Sequence, residues 1–202
     1  MSFDQYALQW DNERRIQRAK CIAEEMSNRF TQMRYEKALE FGCGTALVGF
    51  NLMDRFDNLL LMDSSAGMVE IANRKIINSD ASHVRAIQMD LLNESIEERF
   101  QMIFSSMVFH HIADTDKILS KLYAVLEPQG EICIVDIDEE DGHFHDDYPD
   151  FDGHNGFNHE SLKVKFESAG FKNIKVENFY HDFKQTKDKA IPYSLFILMA
   201  SK

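Results

Sequence analysis

Cysteine is scarce in this sequence, with three residues among 202, at positions 21, 43 and 133. An odd number at wide spacings excludes a disulfide framework and a zinc knuckle and fits reduced thiols. Long apolar runs are also missing. Stretches such as Ser194–Ala200 fall far short of the roughly 20 residues that cross a bilayer, so a soluble protein without a membrane partner is expected. The opening MSFDQYALQWDNERR carries early acids and no apolar core followed by small residues, so it does not read as a signal peptide, and a cytoplasmic location is expected. Basic residues are few: 22 against 34 acidic ones, for a formal charge of -12. Such a surface repels phosphate backbones, so nucleic acid is not an expected partner. Repeats and low-complexity tracts are absent, and the length suits one domain over residues 1–202.

What is present is an alternation of strand and helix patterns. The first thirty residues lack Gly and Pro and space Ile16, Ala19, Ile22, Ala23 and Met26 as one face of an amphipathic helix. Lys37–Phe41 reads as a strand running into Gly42, Cys43, Gly44 and Thr45, with a helix starting directly at Ala46. Strands Asn58–Met62, His83–Met89, Phe100–Phe104 and Glu131–Val135 follow, with helices over Ala66–Ile77 and from Asp114 or Thr115 to before Pro128. Asp136–Phe157 is rich in Asp, Gly and His, without apolar period, and long for a plain connection. Asn158 caps a last helix with Leu162, Val164, Phe166 and Ala169 inward. Strands Lys172–Phe179 and Tyr193–Ala200, separated by a charged loop His181–Lys189, must pair antiparallel, because a parallel return needs a crossover. The fold class is α/β: a doubly wound, mostly parallel seven-stranded sheet with a C-terminal antiparallel hairpin.

In such sheets ligands bind beyond the carboxyl ends of the strands. Gly42 and Gly44 stand where the chain must bend and approach a ligand closely, and Asp63 lies 21 residues beyond Gly42. That is the spacing of the acid that holds a ribose in dinucleotide folds. An adenosine-containing cofactor follows. The nicotinamide fingerprint needs a sixth-place glycine where this chain has Leu47, and a P-loop lacks its Gly-Lys-Ser/Thr. A nicotinamide-dependent oxidoreductase is therefore the alternative rather than the main reading.

The run Glu40-Phe41-Gly42-Cys43-Gly44, with Asp63-Ser64-Ser65-Ala66-Gly67-Met68, Asp90-Leu91 and Ser105-Ser106-Met107-Val108-Phe109-His110-His111-Ile112, resembles the class I S-adenosylmethionine-dependent methyltransferases of small-molecule type, over roughly residues 35 to 180. The departure is Ala46, where many members have a third glycine. The resemblance implies S-adenosyl-L-methionine as cofactor, with Glu40, Gly42 and Gly44 facing it, Asp63 on the ribose, and Ser64 and Met68 flanking the adenine. Asp90 would accept from the exocyclic adenine nitrogen, Leu91 would touch the ring, and the backbone at Ser105 would meet the methionine end. Cys43 reads as a small residue filling a crowded turn.

In-line methyl transfer asks the protein for positioning and, for some acceptors, a base. His154, between Gly153 and Gly156 and followed by Phe157, is the first candidate, with His145 and His111 behind it. His110-His111 sits where relatives have a His-His pair, and His154-Asn155-Gly156-Phe157 resembles a stretch that closes the substrate side. His143-x-His145 with Asp146, Asp147 and His154 offers metal-ligand chemistry at a spacing unlike zinc motifs, so no metal residues are assigned and a metal is the minority reading. Residues 1–30 read as a helical lid, with Phe3, Tyr6 and Trp10 apolar and Arg14 and Arg15 available to the cofactor carboxylate, and residues 136–158 as the substrate-side loop. The chain lacks the Asn/Asp-Pro-Pro-Tyr run of amino-methylating nucleic-acid enzymes, so a small-molecule acceptor is expected. A catalytically silent S-adenosylmethionine-binding module is the further alternative.

Overall fold

A computed structural model of the chain describes residues 3–148, 151–186 and 189–202. Its strands β1 (Tyr35–Phe41), β2 (Phe56–Asp63), β3 (Val84–Gln88), β4 (Phe100–Ser106), β5 (Leu126–Ile137), β6 (Lys172–Gln185) and β7 (Ala190–Ser201) form one sheet in the order β3-β2-β1-β4-β5-β7-β6. The inner pairs are parallel, and β7 runs antiparallel to both β5 and β6. The chain order reverses beside β1, where β2 lies on one flank and β4 on the other. That is the switch point at which open α/β sheets take ligands.

The inner strands β1, β2, β4 and β5 are largely apolar on both faces because helices cover both. Alternate residues such as Ala38, Leu59, Leu61, Met102, Phe104, Cys133 and Val135 meet helices α1 (Glu13–Arg29), α2 (Leu47–Leu52) and α3 (Ala66–Ser79). Leu39, Leu60, Met62, Ile103, Ile132 and Ile134 meet α4 (Thr115–Val125) and α5 (His159–Ser168). Within the first layer Phe56 and Phe104 stack at 5.4 Å, a geometry worth about 0.5–1.5 kcal/mol beyond area burial. The helix starts are capped by side chains: Asn12, Ser65, Asp114 and Asn158 accept from the amides of Arg15, Met68, Lys117 and Ser161.

Three expectations change. Val164 is 60% exposed rather than inward. The buried residues of α5 are Leu162 and Phe166, four apart, and a residue two from each points to the opposite face. Most of the charged stretch 181–189 is strand, since β6 and β7 stay paired out to Gln185 and Ala190. One face of that hairpin is solvated, so its polar alternation mimics a loop. Finally, β5 begins at Leu126, directly after α4, with a register shift before Glu131. Among the described residues no helix is long and apolar enough to cross a membrane.

Candidate active site

The turn after β1 is held by β2. The amides of Gly42 and Cys43 donate to the Met62 carbonyl at 2.8 and 3.0 Å. The Gly44 amide donates to Asp63 Oδ2 at 2.7 Å, and Asp63 Oδ1 accepts from the Ser65 amide at 2.9 Å. Asp63 thus joins the first loop to the cap of α3. Both glycines have positive φ, +71° and +51°, which a side chain would strain. A Cβ at Gly42 would strike Val108 at 2.4 Å, whereas one at Gly44 meets only Trp10 Nε1, at 3.9 Å. The space above Gly44 is open. Ala46 has φ 65° and ψ 33°. This left-handed conformation costs a non-glycine residue about 1–2 kcal/mol.

A cavity of about 510 Å³ lies over this turn, within the range of roughly 300–1,000 Å³ usual for small-molecule sites. Glu40, Gly42, Gly44, Asp63, Ser64, Met68, Asp90 and Leu91 all line it. Ser105 does not. Fully buried in β4, it donates through Oγ to the Phe41 carbonyl at 2.7 Å, and the neighbouring Ser106, Met107 and Val108 reach the cavity instead. Asp90 is fixed as a turn residue by Leu92, whose amide donates to Oδ1 at 3.0 Å, and Asn93, whose Nδ2 donates to Oδ2 at 2.6 Å.

Glu40 is buried, and its Oε2 has no hydrogen-bond partner. A Cβ on Gly49 would lie 2.2 Å from that oxygen, so α2 needs glycine there to admit the carboxylate. Burial, with nearby Asp63 adding, pushes the Glu40 pKa well up. Burial also raises Asp63, against the amides of Ser65 and Gly44. An orphaned buried acid, a second acid and an open cradle above glycine fit a ligand that brings hydroxyl donors and positive charge. S-adenosylmethionine has both.

The other end of the cavity follows β4. Met107 adopts φ 59°, a strained conformation characteristic of functional loops, and a 3-10 turn, Phe109–His111, carries two imidazoles. His111 lines the cavity and faces Phe3 edge-on at 5.1 Å. His110 is buried, and its Nδ1 donates to Asp136 Oδ1. His145, also buried, stacks on Phe151 with ring centroids 3.6 Å apart. Burial and the neighbouring imidazoles push His111 down to about 2, and burial with His110 and Lys184 takes His145 down to about 3.

His154 is placed elsewhere. Its Nε2 donates to the carbonyl of cavity-lining Ile112 at 2.9 Å and meets Thr115 Oγ1 at 3.2 Å, so it stands behind the lining without reaching the cavity. Phe157 is buried in the sheet layer against Phe196 rather than over the cavity. Gly153 and Gly156 serve close backbone approach: a Cβ would lie 2.1 Å from the His110 carbonyl and the Asp138 carbonyl, respectively. The set His143, His145, Asp146, Asp147 and His154 does not come together: His143 pairs with Asp146 at 3.0 Å on the exposed side, while His145 stacks on Phe151 and His154 is held at the Ile112 carbonyl.

The N-terminal segment covers the cavity with Phe3, Trp10, Arg15 and Arg18. It is anchored by Asp4 Oδ1, which accepts from Ser65 Oγ at 2.7 Å and from the Gly67 amide at 2.8 Å. Arg15 lies 4.0 Å over the Trp10 ring. Arg14 turns away to Asp182 at 2.9 Å, and Arg18, one helical turn on, takes the inward place. That spacing was available in the sequence. For Met107 and Asp4 no local signal exists.

Comparison with known proteins agrees with this geometry. The model of a methyltransferase domain family matches residues 38–130. A malonyl-[acyl-carrier protein] O-methyltransferase of Ilyobacter polytropus is 30% identical over 134 residues, 65% of this chain and 49% of that protein. A methyltransferase of Schizosaccharomyces pombe is 27% identical over 164 residues, 74% of this chain and 58% of that one. The chain thus spans about half the length of these relatives. In fold it is similar to phosphoethanolamine N-methyltransferase 2 of Haemonchus contortus in complex with S-adenosyl-L-methionine, with TM-score 0.74 and 18% identity over 90% of this chain and 52% of that chain. The middle of the chain is thus similar to a methyltransferase domain, and the fold is similar to that of a protein solved with S-adenosyl-L-methionine bound.

Proposed function

We propose that this chain transfers the methyl group of S-adenosylmethionine to a small-molecule acceptor by in-line displacement. The observation that carries the reading is one continuous cavity running from Asp63, Ser64 and Asp90 to His111. Adenosine lies at the first end, with Asp63 on the ribose hydroxyls, Met68 and Leu91 on the adenine and Asp90 on its amino group. Glu40 and the open space above Gly44 receive the methionine portion, with Ser105 supporting the turn from beneath through Phe41. The acceptor enters beside His111, whose neutral ring accepts a hydrogen bond from it and orients it. His145 backs His111, and His154 is a positioning residue that fixes the Ile112–Thr115 turn. The chain works as one unit over residues 1–202, with 1–30 as lid and 136–158 as the substrate-side loop.

Relatives whose names specify malonyl-[acyl-carrier protein] and phosphoethanolamine acceptors support a small acceptor group. The test is methyl-labelled S-adenosylmethionine offered with separate panels of hydroxyl, amine and thiol acceptors. Label is expected in one panel, and His111→Gln is expected to lower turnover about 10²-fold through lost orientation of the acceptor with cofactor affinity kept. A chain that binds the cofactor but labels nothing in any panel is a silent binding module. Stabilisation by NAD rather than by S-adenosylmethionine in a thermal shift identifies an oxidoreductase instead.

A further inference from the structure

We propose that His110, His111 and His145 form a site for one divalent transition-metal ion of zinc type, open toward the cavity. One ligand nitrogen from each lies within 4.8 Å of the others. Tetrahedral zinc, with nitrogens at 2.0–2.1 Å, spaces its ligands about 3.3 Å apart, so side-chain rotation of roughly 1 Å closes the set. The cluster joins two distant segments, the turn after β4 and the loop after β5. It is the single cluster of this kind among the described residues.

Two features point to a ligand rather than to packing. His145 is 7% exposed, and its Nδ1 is buried without a hydrogen-bond partner, an arrangement that costs stability unless something completes it. His110, 1% exposed, has Nδ1 held by Asp136. A carboxylate on one imidazole nitrogen fixes the tautomer and leaves the other nitrogen for a metal. Asp136 is itself fully buried and accepts from the Ile137 amide at 2.8 Å, so the outer support is rigid. Three imidazoles suit zinc, iron, copper or nickel better than magnesium or calcium. The opposing charge nearby is Lys184, whose ammonium lies 4.6 Å over Phe144 and donates to the Phe144 carbonyl. The Asp136 carboxylate offsets it.

Three protein nitrogens, with His111 lining the cavity, match a catalytic site that leaves its fourth place to water or substrate. Resting on the methyl-transfer reading, this deepens the acceptor class to a small molecule with a metal-binding hydroxyl or thiol. Coordination lowers the acceptor's pKa, and its proton leaves to solvent. The freed lone pair forms the bond to the methyl carbon as the carbon–sulfur bond breaks, and that electron pair stays on sulfur and neutralises the sulfonium. His111 then acts as a ligand and not as the base.

The experiment is a titration of chelator-treated full-length protein with Zn²⁺ by calorimetry and with Co²⁺ by visible absorption. One equivalent of each is expected, with ligand-field bands and no thiolate charge transfer. His145→Ala should abolish binding, Asp136→Asn should weaken it about 10–100-fold, and His143→Ala should leave it unchanged. Failure of the wild-type protein to bind either ion overturns the proposal, as does equal loss in His143→Ala. Because S-adenosylmethionine binding is measured on the same samples, retained cofactor binding without metal binding removes the metal site alone and leaves the methyl-transfer reading standing.

Discussion

The two ends of the cavity are built differently. The cofactor end is made of consecutive residues at strand ends: Glu40 to Thr45, Asp63 to Met68, and Asp90 with Leu91, each placed by the turn that follows its own strand. The other end, proposed for the acceptor, is assembled from segments far apart in the chain. His111 comes from the turn after β4 and His145 from the loop after β5, with Asp136 behind His110 and Phe151 stacked on His145. The first end depends on backbone geometry, the second on long-range packing. A lesion in the loop after β5 should therefore damage catalysis and spare cofactor binding, and a lesion in the β1 turn should do the reverse.

The largest effect is expected at Gly153, where an added Cβ would meet the His110 carbonyl at 2.1 Å and displace the turn bearing His111. Gly153→Ala should lower turnover about 10²-fold, the scale of an ångström misplacement, with S-adenosylmethionine affinity unchanged by calorimetry. Equal loss of both would show that the ends are not separable.

Next comes Glu40. Its folded pKa is raised by burial, so between its ordinary value and the folded value the folded chain holds a proton that the unfolded chain has released. Stability of the ligand-free protein therefore falls as pH rises through that window, by at most about 1.4 kcal/mol per pH unit. Glu40→Gln should flatten that slope and be relatively more stable at pH 8 than at pH 5 in urea melts. A slope unchanged by the substitution would show that Glu40 is ionised in the folded state. The smallest effect belongs to Ala46. Ala46→Gly relieves the left-handed backbone but loses a buried methyl, terms of about 1 kcal/mol each, so its melting midpoint should stay close to wild type.

The same contrast explains what could be read in the sequence. Periodicity and turn residues are local, so the succession of strands and helices, the reversed hairpin and the β1 turn were legible, as was the set of cavity-lining residues at the cofactor end. Ser105 alone of that set lies off the cavity, because β4 runs on to Ser106 and the Ser105 hydroxyl is turned to the Phe41 carbonyl. At the acceptor end, composition shows many histidines but not their pairing. His154 sits between two glycines that suggest a mobile flap, yet both glycines serve tight contacts with His110 and Asp138. His145 gains its place through stacking on Phe151 and His110 through Asp136, contacts set by the packing of β5 on β4. Sequence spacing cannot report those.

The most direct measurement of the central claim is calorimetric titration of S-adenosylmethionine into the wild-type protein and Asp63→Ala. Asp63 both lines the cavity and ties the Gly44 and Ser65 amides together, so losing its charge-assisted bonds should cost about 1.5–3 kcal/mol, or roughly 10- to 150-fold in affinity. One bound equivalent in the wild type and a loss of that size in a folded variant is the predicted result. Unchanged affinity in a folded Asp63→Ala chain would contradict the account, since the cofactor would then lie elsewhere.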